Sequence, residues 1–236
     1  MKSRRRWFLG IGIFLLFGIA SLPTHIQTAR NYKLETIRMP LGWKTIHFLS
    51  RHHQMILLAR EIISSKAPEE EKAMAVYRWV RAHIYRGVPA GLPVMDDHVL
   101  YVAVRGYGTE DQMADLFTAL CTYVGLTARW STIYSKEGSA LGSVSMVRIT
   151  GRWVVMDPFR DYIARIPSGE LEDLQNLQGR LRRESVNLGI PAVRGASYEQ
   201  FLLILDQDAF LRKGVDRGSS QIPLRRIWGE IKKRFL

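Results

Sequence analysis

The feature that most constrains the fold is a change of apolar periodicity between residues 110 and 158. From Glu110 to Val124 apolar residues recur at intervals of three and four, which is typical of a helix with one buried face. Gly125 follows as the kind of residue that commonly ends a helix. Three runs that favour β-strands come next: 127–134, 144–149 and 152–156. Because Thr150-Gly151 is typical of a hairpin turn, the pattern predicts an α+β domain whose helices pack on an antiparallel sheet.

The rest of the chain consists of segments that flank this core. Residues 41–66 carry a helical apolar stripe, and a second helix is predicted from Pro68 to about Tyr85, because proline suits a first helical position. From Pro167 onward the pattern returns to helix and loop. The predicted organisation is a signal segment (1–30), a helical lead-in (31–67), the core domain (68–166) and a C-terminal helical extension (167–236).

The amino terminus predicts export. A basic stretch, Met1 to Arg6, precedes sixteen uncharged residues from Trp7 to Leu22 that are rich in Phe, Leu and Ile. Two interpretations remain open: a cleaved signal peptide, or an uncleaved signal anchor that forms one N-terminal transmembrane helix. No small-residue cleavage site is evident between Ala20 and Arg30, which favours the anchor. The positive-inside rule then predicts that the basic end stays in the cytoplasm and that the domain lies on the outer side of the membrane.

Most of the net charge of +12 lies at the two ends of the chain and not in its body. Nine of these twelve charges lie within residues 1–30 and 224–236. The second segment has the pattern of a basic amphipathic helix, which could lie on an anionic membrane or pack on the domain. The body lacks the motifs of known nucleic-acid-binding modules, so no nucleic-acid partner is expected. The single cysteine, Cys121, excludes an internal disulfide and is expected to be a buried core residue.

Two blocks of the core share an ordered set of residues with a known family. Within residues 99–129 and 144–158 these are Arg105-Gly106-Tyr107-Gly108, Asp111-Gln112, Ala114, Gly125, Arg129, Gly151, Trp153 and Asp157-Pro158. In this respect the chain resembles the bacterial transglutaminase-like domains, relatives of the papain-type cysteine proteases. The resemblance covers roughly residues 70–165, and it implies a transglutaminase-like/papain-like fold.

The resemblance also implies a Cys-His-Asp triad, in which a Cys thiolate attacks a Gln carboxamide or peptide carbonyl. Here Glu110 stands at the Cys position and Gly142 at the His position, or Ser143 if the hairpin is one residue shorter. Only the orienting residue, Asp157, matches the family pattern. In subtilisin the loss of one central triad member lowers kcat by a factor on the order of 10⁶. No functional catalytic residue is therefore expected here.

Other residues near the expected cleft have structural and functional interpretations. Residues 109–112 have the pattern of a helix capping box, which would account for an acidic residue at position 110 without any functional role. His98, with acidic neighbours, is typical of a histidine in a solvated loop. Asp111, Gln112, Ser143 and His98 are the possible cleft-lining residues, and neither a metal nor a cofactor is expected. The leading hypothesis is a non-catalytic binding or scaffolding protein of the cell envelope, with an envelope protein or polysaccharide as partner. Together with the N-terminal segment, the resemblance to bacterial domains implies a bacterial inner-membrane protein whose domain faces the periplasm or cell exterior. The alternative is a hydrolase or acyl-transferase with a rebuilt acidic site around Glu110, Asp111 and Asp157.

Overall fold

The computed structural model describes residues 14, 17–96, 98–134, 138–184, 186–191, 195, 197–216 and 221–223. Its helices are α1 (Leu41–Ile62), α2 (Glu69–His83), α3 (Val99–Arg105), α4 (Glu110–Tyr123), α5 (Leu174–Arg183), α6 (Tyr198–Leu203) and α7 (Gln207–Lys213). Its strands are β1 (Pro23–Arg30), β2 (Lys33–Pro40), β3 (Tyr85–Arg86), β4 (Met95–Asp96), β5 (Tyr107–Gly108), β6 (Thr127–Tyr134), β7 (Ala140–Ile149), β8 (Arg152–Asp157) and β9 (Tyr162–Ile163). The chain divides into two compact units: residues 1–54 with 93–97, and residues 55–92 with 98–236.

The smaller unit contains a β-hairpin that sequence patterning did not predict. Strands β1 and β2 pair antiparallel along their whole length, and β4 adds to the other edge of β1. Asn31 and Tyr32 form the turn with positive φ angles, the geometry that suits the twist of a two-residue hairpin. The helical prediction for the lead-in is therefore wrong for residues 33–40. Every residue of β2 except Met39 is exposed, so the strand carries no alternation of buried and exposed positions.

The larger unit is the predicted α+β domain. Its four-stranded antiparallel sheet has the order β6-β7-β8-β9, and the Thr150-Gly151 hairpin joins β7 to β8 as expected. Helix α4 packs against β6 and β7 on one side and against α2 on the other. Eight residues of α4 are buried: Met113, Ala114, Leu116, Phe117, Thr118, Ala119, Leu120 and Cys121.

Local hydrogen bonds and a glycine define the two ends of helix α4. The predicted capping box is present at its start, where Gln112 Oε1 accepts a hydrogen bond from the Thr109 N–H at 3.1 Å. At its end Gly125 takes a positive φ of 90°, and the following Leu126 N–H bonds to the Cys121 carbonyl at 2.9 Å. The sharp reversal directs the chain into β6 alongside the helix.

The predicted terminal helices fall mostly or wholly outside the described residues. Residues 1–13, 15 and 16 of the apolar N-terminal segment and residues 224–236 of the basic C-terminal segment are among those not described. Among the helices of the described part of the chain, none has the length and apolar character needed to cross a membrane.

Candidate functional site

The residues at the three triad positions of the resemblance lie on adjoining elements of the larger unit. Glu110 is the first residue of α4, Gly142 and Ser143 lie on β7, and Asp157 is the last residue of β8. Because α4 packs on β7 and β7 pairs with β8, the three positions converge. The Ser143 backbone N–H donates a hydrogen bond to Glu110 Oε1, which joins the first two positions directly.

An arginine that the sequence analysis did not single out occupies the centre of this convergence. Arg160 places one guanidinium nitrogen 2.7 Å from Glu110 Oε1 and the other 2.7 Å from Asp157 Oδ2. Its backbone N–H donates to Asp157 Oδ1 at 3.0 Å, and Nη1 also reaches the Ser143 carbonyl oxygen at 3.2 Å. Glu110, Asp157 and Arg160 are called the arginine clamp below.

Aromatic side chains from α6 cover the arginine clamp. The Tyr198 hydroxyl donates to Asp157 Oδ2 at 2.9 Å. The Arg160 guanidinium lies 5.4 Å from the ring centre of Tyr198 and 5.5 Å from that of Phe201, within the range of cation–π attraction. Both rings are fully buried. The C-terminal extension therefore contributes part of the wall around the triad positions.

Burial governs the electrostatics of the clamp. The Asp157 side chain is 3% exposed, that of Arg160 is 9% and that of Glu110 is 24%. Burial raises the pKa of Glu110 above its ordinary value, although Arg160 and the Ser143 N–H act against this rise. The pKa of Arg160 is also raised: burial alone would lower it, and the carboxylates of Asp157 and Glu110 outweigh that effect. The guanidinium therefore remains charged between its two partners.

A second group of contacts holds the loop that carries Arg160. Arg81 of α2 pairs with Asp161 at 2.8 Å and donates to the Pro158 carbonyl at 3.3 Å. The Tyr77 hydroxyl donates to Asp161 Oδ1 at 3.1 Å, and burial raises its pKa strongly. These contacts fix the turn after β8, so Arg160 is directed back toward Glu110.

The other predicted cleft residues have local partners. The Asp111 carboxylate is exposed and accepts from the Thr109 hydroxyl, while Gln112 bonds to the Arg105 guanidinium at 2.8 Å. His98 caps α3 by accepting from the Leu100 N–H at 3.1 Å, and its other ring nitrogen lies 2.9 Å from Gln221 Oε1. The structure thus joins Glu110 and Asp157 through Arg160, whereas Asp111 lies outside that group.

Other chemistry-bearing features lie outside the clamp. Cys121 is fully buried, as expected, and burial raises the pKa of its thiol well above the usual range. Within the described ranges no three His, Cys, Asp or Glu side chains are grouped as a metal site would require. A cavity of about 470 Å³ opens beside the β7–β8 turn, lined among others by Glu70, Thr150 and Arg152, and by no clamp residue.

Two of the three residues of the arginine clamp, Glu110 and Asp157, follow from the sequence motif. The third, Arg160, and the covering residues Tyr198 and Phe201 were missed. The spacing of Asp157 and Arg160, three residues apart after a strand end, was the available signal for the first of these. No local signal connects Tyr198 to Asp157 across 41 residues.

Comparison with known proteins agrees with the motif. The sequence model of the Transglutaminase-like superfamily matches residues 57–158, and no curated protein matches the chain. A candidate cysteine protease from Cytophaga hutchinsonii is similar in structure at 18% identity, covering 52% of this chain and 41% of its own, with a TM-score of 0.36. A candidate protease from Parabacteroides distasonis gives 11% identity, 63% and 41% coverage and the same TM-score.

This chain therefore spans about two fifths of the length of each of these two structures. The family match includes the capped helix α4, the Thr150-Gly151 hairpin and Asp157, which are the parts that bring the triad positions together. Over residues 57–158, somewhat less than half of its length, this chain is therefore similar to the Transglutaminase-like superfamily.

Proposed function

We propose that this chain is a membrane-anchored, exported member of the transglutaminase-like superfamily that acts without catalysis, as a binding or scaffolding protein of the bacterial cell envelope. The observation that carries the proposal is the arginine clamp. A guanidinium bonded at 2.7 Å to both Glu110 and Asp157 fills the space between the positions where the family holds its nucleophile and its orienting acid.

The chemistry of the clamp supports an inactive site. Glu110 Oε1 accepts hydrogen bonds from both Arg160 and the Ser143 N–H, so its lone pairs are already engaged and this oxygen is a weak nucleophile. Neither Gly142 nor Ser143 carries a side chain that could serve as a base near neutral pH. The only thiol of the chain, Cys121, is buried in the core.

The sequence of the amino terminus supports the location. Residues 7–22 carry no charge and follow four basic residues, so the basic end is expected to stay in the cytoplasm. The domain would then face the periplasm or cell exterior. In that compartment an envelope protein or a polysaccharide is the partner class that a non-catalytic domain would bind.

The experiment measures both parts of the proposal on the full chain. Purified in detergent, it is expected to release no ammonia from glutaminyl peptides and to cleave no peptide, with Glu110→Ala as the matched variant. Activity that Glu110→Ala abolishes would instead support the hydrolase or acyl-transferase alternative. Alkaline extraction of membranes is expected to leave the chain in the pellet, and protease added to spheroplasts is expected to digest the domain.

A further inference from the structure

The first turns of α1 carry an apolar stripe that the described residues of the smaller unit leave about half exposed. Trp43, Ile46 and Leu49 are 58%, 56% and 48% exposed, and their spacing of three residues places them along one side of the helix. Exposed apolar side chains that form a continuous row indicate an interaction surface, whereas scattered ones do not. We call these three residues the α1 stripe.

The position of the α1 stripe relates it to the apolar N-terminal segment. The Leu41 N–H donates to the Leu22 carbonyl at 2.8 Å, so α1 begins where the uncharged run 7–22 ends. A Cβ on Gly42 would lie 3.2 Å from the Cβ of Ala20, so the two chain segments are in close contact there. If residues 7–22 enter a bilayer, the α1 stripe lies next to the point of entry.

The charges around the α1 stripe suit an anionic lipid surface. Arg38 lies on β2 toward the base of the hairpin, and Lys44 and Arg51 lie on α1. The other two basic residues of 14–54, Arg30 and Lys33, flank the hairpin tip, and Glu35 is the single acid of this range. The Lys44 ammonium donates to the His25 carbonyl at 2.8 Å, which keeps it at the base of the hairpin. An exposed Trp beside cations is the combination that prefers the interface between lipid headgroups and acyl chains.

We propose that the α1 stripe lies in the headgroup region of an anionic phospholipid bilayer, as a second membrane contact in addition to the N-terminal segment. The proposal rests on the anchoring part of the proposed function and adds a defined surface and orientation to it. The Asn31-Tyr32 tip of the hairpin is then directed away from the bilayer. Eight strand residues at about 3.3 Å each place that tip about 25 Å from the hairpin base.

The test uses the full chain in vesicles of phosphatidylglycerol and phosphatidylcholine with brominated acyl chains. An environment-sensitive fluorophore is attached to Ile46→Cys and, as the matched control, to Tyr32→Cys, which is 86% exposed at the hairpin tip. The buried Cys121 makes the wild-type chain the unlabelled reference. We expect severalfold stronger quenching at position 46 than at 32, and less quenching at 46 when phosphatidylglycerol is omitted.

Quenching at position 46 that is no stronger than at position 32 would overturn the proposal. So would a disulfide between two Ile46→Cys chains that forms readily in the vesicles, because a second copy would then occupy the α1 stripe. Alkaline extraction of the same vesicles tests the anchor separately. A chain that is extracted contradicts the proposed anchor, while the fluorophore still reports whether α1 lies in the lipid.

Discussion

At the scale of single residues, the arginine clamp is a largely buried ion network that joins the residues at two of the triad positions. Arg160 forms ion pairs with two carboxylates in a site where the side chains of Asp157 and Arg160 are less than a tenth exposed. A buried charge that loses its partner is far more costly than a surface charge, because water cannot take the place of the missing ion. Substitutions in the clamp should therefore change the free energy of unfolding measurably.

Replacing Arg160 tests this energetic role. We expect Arg160→Met to lower the free energy of unfolding by about 3–5 kcal/mol, because Glu110 and Asp157 would remain buried without a counter-ion. Arg160→Lys should cost less, since it keeps the charge but cannot bond to both carboxylates. The measurement is urea unfolding in detergent, with exposed Arg152→Met as a control that changes stability by less than about 0.5 kcal/mol. Equal effects at the two positions would contradict the role assigned to the clamp.

The raised pKa of Glu110 predicts a pH dependence of known sign. A folded pKa above the unfolded value means that the folded state binds the proton more tightly. The contribution of Glu110 to stability therefore falls as the pH rises from the ordinary glutamate range through the raised folded pKa. Relative to Glu110→Gln, the wild-type chain is expected to lose stability over that interval. Chemical unfolding of both proteins at several pH values checks this. A wild-type stability that rises with pH relative to that of Glu110→Gln would contradict the prediction.

At the scale of elements, the Gly-rich turn between α3 and α4 positions the clamp's first residue. Gly106 ends α3 in the left-handed conformation with φ 71°, and the chain then pairs β5 with β3 before α4 starts at Glu110. Gln112 and Arg105 bond across this turn at 2.8 Å. The turn thus sets the direction from which α4 enters the larger unit.

Alanine substitutions at two glycines compare a position that requires a left-handed backbone conformation with a position inside a helix. Gly106→Ala is expected to destabilise the protein by about 1–2 kcal/mol, because an L-residue in the left-handed region is strained. Gly179→Ala, inside α5, is expected to stabilise it by about 0.5–1 kcal/mol through the lower backbone entropy of alanine in the unfolded chain. Thermal unfolding of the two variants gives the comparison. Stabilisation by Gly106→Ala would show that the turn tolerates another conformation.

At the scale of the whole molecule, the domain needs chain beyond its family-matched segment. The match ends at residue 158, yet Tyr198, Phe201 and Leu202 of α6 are fully buried in the core of the larger unit. The first two of these also line the arginine clamp. The C-terminal extension is therefore part of the folded domain.

Reactivity of Cys121 provides a measure of this dependence. In the full chain the thiol should react with iodoacetamide only as the protein unfolds, because it is fully buried and its pKa is raised. A chain that ends at residue 166 lacks α6, so its Cys121 is expected to react many times faster under native conditions. Equal protection in the two chains would mean that residues 68–166 fold without the extension.

The features that the sequence predicted well are those governed by local periodicity and local turns. The spacing of apolar residues located α4 within one residue of its end, and β6 at its observed bounds. The capping box and the Thr150-Gly151 turn were also predicted, since their hydrogen bonds join residues only a few positions apart. The hairpin β1–β2 was missed because β2 is exposed on both faces and shows no two-residue alternation.

The sequence by itself therefore determined the order of elements in the core and which residues stand at the triad positions. Only the tertiary structure decided what the residues at those positions contact. The arginine clamp depends on a guanidinium that reaches Glu110 from a turn fifty residues later, and on Tyr198 from a helix further along still. Such contacts arise because packing brings distant segments together, and burial then makes the pairing of their charges obligatory.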